Sequence, residues 1–395
     1  MNIIKRFLTY IRHNPLESAA ALSVFVALVL GGIVFVASRA ASFYAYADAS
    51  QASVADGAEI VSDSSAIGGK AIQFASASIQ PETGGGTTGT AYLNPYSLGL
   101  APYNYIPWEG SLTDFKNASG VSNQVAAFII SSGGCTPAWD GDSSLGLSSS
   151  RSNTIASEIS NVRNSGGDVM ISLGGASGNE LAYSCSNASQ LKQAYISILD
   201  KYGIDKIDFD IEGSNASKTS ANATRAEVVA ALQQERDLKV WVTLAVETDG
   251  LTSEGLSVVK QMREKGVALS GINIMAMDYG TNTKDMGAAA VSAANSTFSQ
   301  LKSIYPESSD SDIWKAIGVT AMIGINDTEP EAFTLANAKT LKDYAVQKGI
   351  GMLSYWNVAR DVACSGNKAI LSDSCSGVTQ SKYDFANALN ISSIN

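Results

Sequence analysis

Apolar runs of strand length recur through residues 92–395 of this 395-residue chain, separated by stretches of helix length. In order they are YSLGLAPY (96–103), NQVAAFIISS (123–132), DVMISLGG (168–175), KIDFDIE (206–212), KVWVTLAV (239–246), GINIMAMD (271–278), KAIGVTAMIG (315–324) and GIGMLSYW (349–356). Between them lie amphipathic stretches such as SNTIASEISNVRNSG, ASQLKQAYISILDKYG, GLSVVKQMREKG and TLANAKTLKDYAVQKG, each closed by the glycine that commonly stops a helix. Eight strands alternating with helices predict parallel pairing. The fold class is therefore α/β, a (β/α)8 TIM barrel. The 304 residues from 92 to 395 suit that fold. A doubly wound open sheet would place a glycine-rich phosphate turn after its first strand, and here that strand runs into LAPYNYIP.

The segment before the barrel reads differently. Lys5, Arg6 and Arg12 precede an uncharged run from Ala19 to Ala37, close to the ~20 apolar residues that span a bilayer. A basic flank stays on the cytoplasmic side, so the rest of the chain is expected to be exported. Ala45-Tyr46-Ala47 offers a small-x-small cleavage site. Residues 1–47 are thus expected to be a signal peptide or a transmembrane anchor, and the protein extracellular, either secreted or tethered to the membrane. Residues 48–91 are expected to form a short β-rich extension followed by the Gly/Thr-rich linker PETGGGTTGTA, since so short a stretch cannot bury a sandwich core of its own.

Charge narrows the partners. The formal net charge is −10; residues 1–47 carry +3, so the remainder carries −13. No Lys/Arg cluster marks a phosphate-binding face, which excludes nucleic acid and favours a neutral polymer. Four cysteines, Cys135, Cys185, Cys364 and Cys375, allow three pairings. Cys364–Cys375 would close a short local loop and leave Cys135–Cys185; zinc is disfavoured because no Cys-x-x-Cys spacing occurs. The single histidine, His13, precedes the apolar run. The exported part therefore has no Ser-His-Asp or Cys-His machinery and no histidine metal ligand, and its chemistry must run on carboxylates, Tyr, Lys or groups of the substrate.

The stretch DKIDFDIEG supplies those carboxylates. Asp208, Asp210 and Glu212 alternate with Ile207, Phe209 and Ile211, which is the period of a strand with acids on one face. Buried acids are costly, and strand-forming Ile and Phe between them argue against a calcium loop. Closely spaced acids share protons, so one stays protonated near neutral pH. Glu212, at the carboxyl end of strand four, sits where such barrels carry their active sites. A second carboxylate across a glycosidic bond cannot come from Asp210 on the same wall. A substrate whose 2-acetamido group attacks its own anomeric carbon removes that requirement.

DKIDFDIE matches the D-x-x-D-x-D-x-E signature of glycoside hydrolase family 18, the chitinase family, and ISLGG (171–175) matches its S-x-G-G motif. The chain resembles that family through LAPY, GGCTPAW, NIMAMDYG, GVTAMIGIND and LSYWNVARD as well, in barrel order. The resemblance implies a retaining chitinase that needs no cofactor or metal and acts as a monomer on chitin or N-acetylglucosamine oligosaccharides. It implies Glu212 as general acid and base, Asp210 as the acid that orients the acetamide, Asp208 as its proton-sharing partner and Tyr279 as a hydroxyl donor. Trp356 is implied as the floor under the reacting sugar, Met275, Met277 and Asp278 as pocket wall, and Asp327 as a subsite acid. Trp139 and Tyr103 are expected to stack on sugar faces. An endo-β-N-acetylglucosaminidase uses the same acids; a lectin on this barrel typically lacks the terminal Glu. Only about 25 residues separate strands seven and eight, room for one helix and no inserted lid, which predicts an open groove and endo cutting.

Overall fold

The computed structural model describes residues 58–62, 70–74, 91–107, 110–280 and 283–391. The chain divides into two compact units, Met1–Gly85 and Gly86–Asn395. In the first, β1 (Ala58–Ser62) and β2 (Lys70–Phe74) form an antiparallel pair. The uncharged run 19–37 and the linker up to residue 90 lie outside the described residues. Among the described residues no helix is long and apolar enough to cross a membrane. The transmembrane helix, and the membrane as a partner, are therefore not features of the structure described.

The second unit is a curled, mostly parallel sheet wrapped by helices. Its strands are β3 (Gly99–Leu100), β4 (Tyr103–Tyr105), β5 (Asn123–Ser131), β6 (Pro137–Trp139), β7 (Asp168–Gly174), β8 (Lys206–Ile211), β9 (Lys239–Glu247) and β10 (Gly250–Leu251), then β11 (Leu269–Met275), β12 (Ile317–Met322), β13 (Gly324–Ile325), β14 (Ala332–Phe333) and β15 (Met352–Trp356). The ladder runs β3-β15-β12-β11-β9-β8-β7-β5-β4, with β10 and β6 folded back antiparallel on β9 and β5. Each of the eight strand-like runs in the sequence contains a stave of this sheet.

The closed ring of eight continuous strands expected from the sequence does not form. The path has two ends, β3 and β4, which are consecutive pieces of the first run parted at Ala101-Pro102. Proline has no N–H to give a ladder. The Ala101 N–H donates to the Leu353 carbonyl on one side, and the Pro102 carbonyl accepts from the Val125 N–H on the other. The first run thus serves β15 with its first half and β5 with its second. The fold is TIM-barrel-like rather than a barrel of eight unbroken strands.

The glycine stops act as the pattern predicts: Gly203 (φ 60°) and Gly349 (φ 74°) end the helices Ala188–Tyr202 and Leu335–Lys348 in the left-handed region. Between β12 and β15 lie only the small β13–β14 pair and the helix Leu335–Lys348, so no α+β subdomain stands over the sheet there. Apolar side chains of the staves' outer faces pack on the helices and make the main core. A second, smaller cluster (Leu98, Ala101, Tyr103, Val125, Ala127, Met170, Trp241 and Met352) fills the concave interior. Trp241 fits there because two neighbouring staves carry glycine. A methyl group on Gly271 or Gly318 would lie 2.1 or 2.8 Å from its ring.

Candidate active site

The period-two pattern of β8 sends Phe209 outward, where it meets the edge of Tyr195 at 5.3 Å and lies under the Arg225 guanidinium at 5.6 Å. Arg225 is fully buried and bonds Glu180, also buried, through Nε at 3.1 Å and a terminal nitrogen at 2.7 Å. The Tyr195 hydroxyl donates to the same carboxylate at 2.6 Å. This paired charge braces the back of the acidic strand. Nothing in the sequence pattern marks it, because Glu180 and Arg225 are 45 residues apart.

The opposite face carries the acids above the apolar plug. Asp208 is completely buried and accepts three hydroxyl protons: Ser172 at 2.6 Å and Tyr103 at 3.1 Å on Oδ2, and Thr243 at 2.8 Å on Oδ1. Burial raises its carboxyl to about 6 against the pull of these donors. Two residues further along the strand, Asp210 is buried and raised well above the carboxylate range, first by burial and then by the charges of Glu212 and Asp208. It shares a hydrogen bond with Glu212, while its Oδ1 has no partner among the described residues. Glu212 follows the strand's last residue and is half-buried at the carboxyl-end mouth, its carboxyl raised by burial and lowered by the Asp210 bond.

The ISLGG stretch explains itself against this row. Ser172 holds Asp208, and the two glycines let the chain close over Asp210. A methyl group on Gly174 (φ 116°) would sit 2.0 Å from the Asp210 carbonyl oxygen. The Gly175 N–H donates to that same oxygen at 3.1 Å, and a methyl group there would strike the Phe128 ring at 2.9 Å. Phe128 stacks on Trp356 with centroids 5.7 Å apart and planes 17° off parallel. Tyr103 and Tyr105 each lie 6.1 Å from Trp356. Trp356, half-buried at the end of β15, is thus held in an aromatic cluster beside the acids. A row of protonatable carboxyls rising from a dry interior to a mouth bordered by an aromatic plane suits acid-catalysed cleavage of a sugar polymer.

The pattern of glycosyl hydrolases family 18 matches residues 103–389. The chain belongs to this family. It is 34% identical over 310 residues to a probable bifunctional chitinase/lysozyme of Escherichia coli (strain K12), covering 72% of this chain and 33% of that protein. It is 35% identical over 282 residues to Endochitinase 11 of Metarhizium anisopliae, covering 66% of this chain and 52% of that one. The chain thus spans between a third and about half of these relatives' lengths. Among solved structures, the catalytic domain of a hyperthermophilic chitinase from Pyrococcus furiosus superposes with a TM-score of 0.67 at 32% identity, over 75% of this chain and 95% of that one.

Of the other residues singled out in this family-18 sequence, the loop after β11 brings several to the mouth. Met275, Met277 and Asp278 are half-buried there, and Asp278 (φ 50°) accepts the Thr328 N–H at 2.9 Å. The buried Glu331 carboxylate accepts the N–H groups of Tyr279 and Gly280 at 3.0 and 3.1 Å, pinning the loop. The Tyr279 ring is buried and its hydroxyl has no partner among the described residues; burial, then Glu331 and Glu247, push its proton affinity up. Asp327 is exposed, its carboxyl raised by partial burial and by Asp278.

Two aromatic residues lie elsewhere than expected. Trp139 is fully buried on the returning strand β6, and its Nε1 donates to the Tyr202 hydroxyl at 2.7 Å. It packs into the helical layer and offers no face to a sugar. Tyr103 is buried too, and its hydroxyl serves Asp208. Phe128 and Tyr105, which the sequence did not single out, join Tyr103 beside Trp356; Tyr105 also donates to Asp140. Disulfides join Cys135 to Cys185 and Cys364 to Cys375. The first ties the β5–β6 turn to the segment after β7; the second closes a loop beyond β15.

Proposed function

We propose that the chain is a retaining, endo-acting chitinase that hydrolyses β-1,4 bonds between N-acetylglucosamine units with the help of the substrate's own acetamido group. One observation carries this reading: the buried Asp210 Oδ1, without a partner among the described residues, directly beneath Glu212. A retaining enzyme with a protein nucleophile needs a second carboxylate about 5–5.5 Å across the bond. Asp210 lies instead behind Glu212 on one stave, where it faces the sugar's side group rather than its far face. The acetamido carbonyl oxygen attacks the anomeric carbon as the glycosidic bond breaks, and the departing oxygen takes the Glu212 proton. Asp210 accepts the N–H of the resulting oxazolinium and offsets its charge. Glu212, now ionised, takes a proton from water. The water oxygen bonds to the anomeric carbon, the oxazoline ring opens, and the starting configuration is restored.

Asp208 shares the proton of the row, and Trp356 forms the floor under the reacting sugar. Met275, Met277 and Asp278 make the wall, Tyr279 donates its unpartnered hydroxyl to the acetamide, and Asp327 serves a more distant sugar. Residues 92–395 form the hydrolase domain. Two disulfides fit an oxidising, extracellular setting. The absence of an α+β insertion between β12 and β15 supports an open groove and internal cutting. Product analysis tests the reading. From colloidal chitin a ladder of oligomers is expected early in the reaction. Release of disaccharide alone would contradict endo cutting, and cleavage of a high-mannose glycoprotein with chitin left intact would contradict the substrate.

A further inference from the structure

The hydroxyls that hold Asp208 are themselves held by a residue two staves away. Asn273, on β11, is completely buried. Its Nδ2 donates to Thr243 Oγ1 at 3.0 Å and to the Tyr103 hydroxyl oxygen at 3.4 Å. Its Oδ1 accepts from the Thr320 hydroxyl of β12 at 2.9 Å, which leaves Nδ2 facing Thr243 and Tyr103. Gly318 leaves just enough room for this carbonyl; a methyl group there would lie 3.0 Å from Asn273 Oδ1. Thr243 and Tyr103 are also 2.9 Å from each other. Tyr103, Thr243 and the Asp208 carboxyl therefore form a ring in which either hydroxyl could spend its proton on the other instead of on Asp208. Asn273 is the member of this network that gives N–H groups to both hydroxyl oxygens.

We propose that Asn273 is a positioning residue that polarises Thr243 and Tyr103 so that both donate to Asp208, favouring its ionised form and weighting the proton the row shares towards Asp210 and Glu212. An N–H donated to a hydroxyl oxygen strengthens the hydrogen bond which that hydroxyl gives onward, and the effect is largest in a dry interior. The amide's positive end also faces the carboxylate through one oxygen atom. The titratable groups facing Asp208 are Tyr103 from β4 and Asp210 from its own strand; Ser172 of β7 and Thr243 of β9 add hydroxyls only. Asn273 thus supplies from β11 a fixed dipole to a site otherwise lined by rotatable hydroxyls and acids. The consequence for catalysis rests on the roles proposed above for Asp210 and Glu212.

The test reads Asp208 itself, without substrate, and so stands apart from whether the chain cuts chitin. In protein labelled with ¹³C at the aspartate carboxyls, the Asp208 signal, identified by its loss in Asp208→Asn, is followed through a pH titration. In Asn273→Leu its midpoint is expected to rise by roughly half to one pH unit, because the donor that favours the ionised form is gone. Thr320→Val, which keeps the shape but removes the partner of the amide oxygen and so weakens the hold on the amide, is expected to shift it the same way by less, and it carries the test if Asn273→Leu fails to fold. The acidic limb of kcat/KM on an N-acetylated chito-oligosaccharide should move upward with the midpoint, since the carboxyl row then takes up its next proton at higher pH. A melting temperature lowered with the midpoint unmoved would mark Asn273 as structural only and overturn the proposal.

Discussion

Replacing Glu212 by Gln is expected to lower turnover of chito-oligosaccharides by roughly 10²–10⁴-fold, the usual worth of a positioned general acid. Gln has the shape of Glu but no proton to give to the leaving oxygen and no carboxylate to activate water afterwards. Folding is expected to survive, because Glu212 is half-buried beyond the end of β8 and its hydrogen-bond partner Asp210 can donate to an amide carbonyl. Sugar binding, measured by calorimetry on the inactive variant, is expected to change little, since the aromatic cluster around Trp356 is untouched. Turnover retained in Glu212→Gln would remove this residue from the chemistry and the assignment with it.

Asp210→Asn carries the second large effect and reports on energetics as well as rate. Asn can still accept the acetamide N–H but cannot offset an oxazolinium charge. A loss of roughly 10²–10³-fold is expected, as for removal of one preorganised stabilising group. Stability should move the other way. The folded-state affinity of Asp210 for its proton is raised well above the unfolded value, chiefly by burial. The folded protein therefore binds that proton more tightly than the unfolded chain. Stability linked to it is fully present at low pH and is lost as pH rises through the folded-state titration. Asn carries no such penalty. Thermal melts should show Asp210→Asn level with or below the wild type in acid and gaining on it as pH rises. A variant that loses stability across the whole range would show that the acid is there for structure. Sites that keep costly groups for chemistry commonly trade stability in this way.

The acidic row was legible because a strand's two faces are written in its own residues: Asp208, Asp210 and Glu212 could not alternate with Ile207, Phe209 and Ile211 and face any other way. The glycine helix stops at Gly203 and Gly349 are local in the same sense. What lay beyond reading was contact between distant staves. Thr243, Asn273 and Thr320 look like ordinary polar positions in apolar runs, and only the register of β8, β9, β11 and β12 brings them to Asp208. Trp139 was misplaced because β6 turns back antiparallel on β5, a reversal that GGCTPAW does not announce by any period. Phe128 sits in a run, AAFII, that reads as uniformly buried strand, so its stacking on Trp356 had no signal. The apolar run YSLGLAPY continues across Pro102, the residue that cannot keep a ladder on both sides, and so it predicts one unbroken strand and a closed ring where the chain has two short pieces. The transmembrane expectation came from an apolar run that the described residues do not include.

The central claim is that the substrate supplies the nucleophile while Glu212 and Asp210 manage the proton and the charge. Time-resolved proton NMR of the newly formed reducing end tests it most directly, run in parallel on an N-acetylated chito-oligosaccharide and on a cello-oligosaccharide of equal length. The account predicts that the acetamido sugar yields the β-anomer first, before mutarotation, and that the cello-oligosaccharide, which has no 2-acetamido group, is left uncut. An α-anomer as first product, or cleavage of both sugars at similar rates, would contradict it.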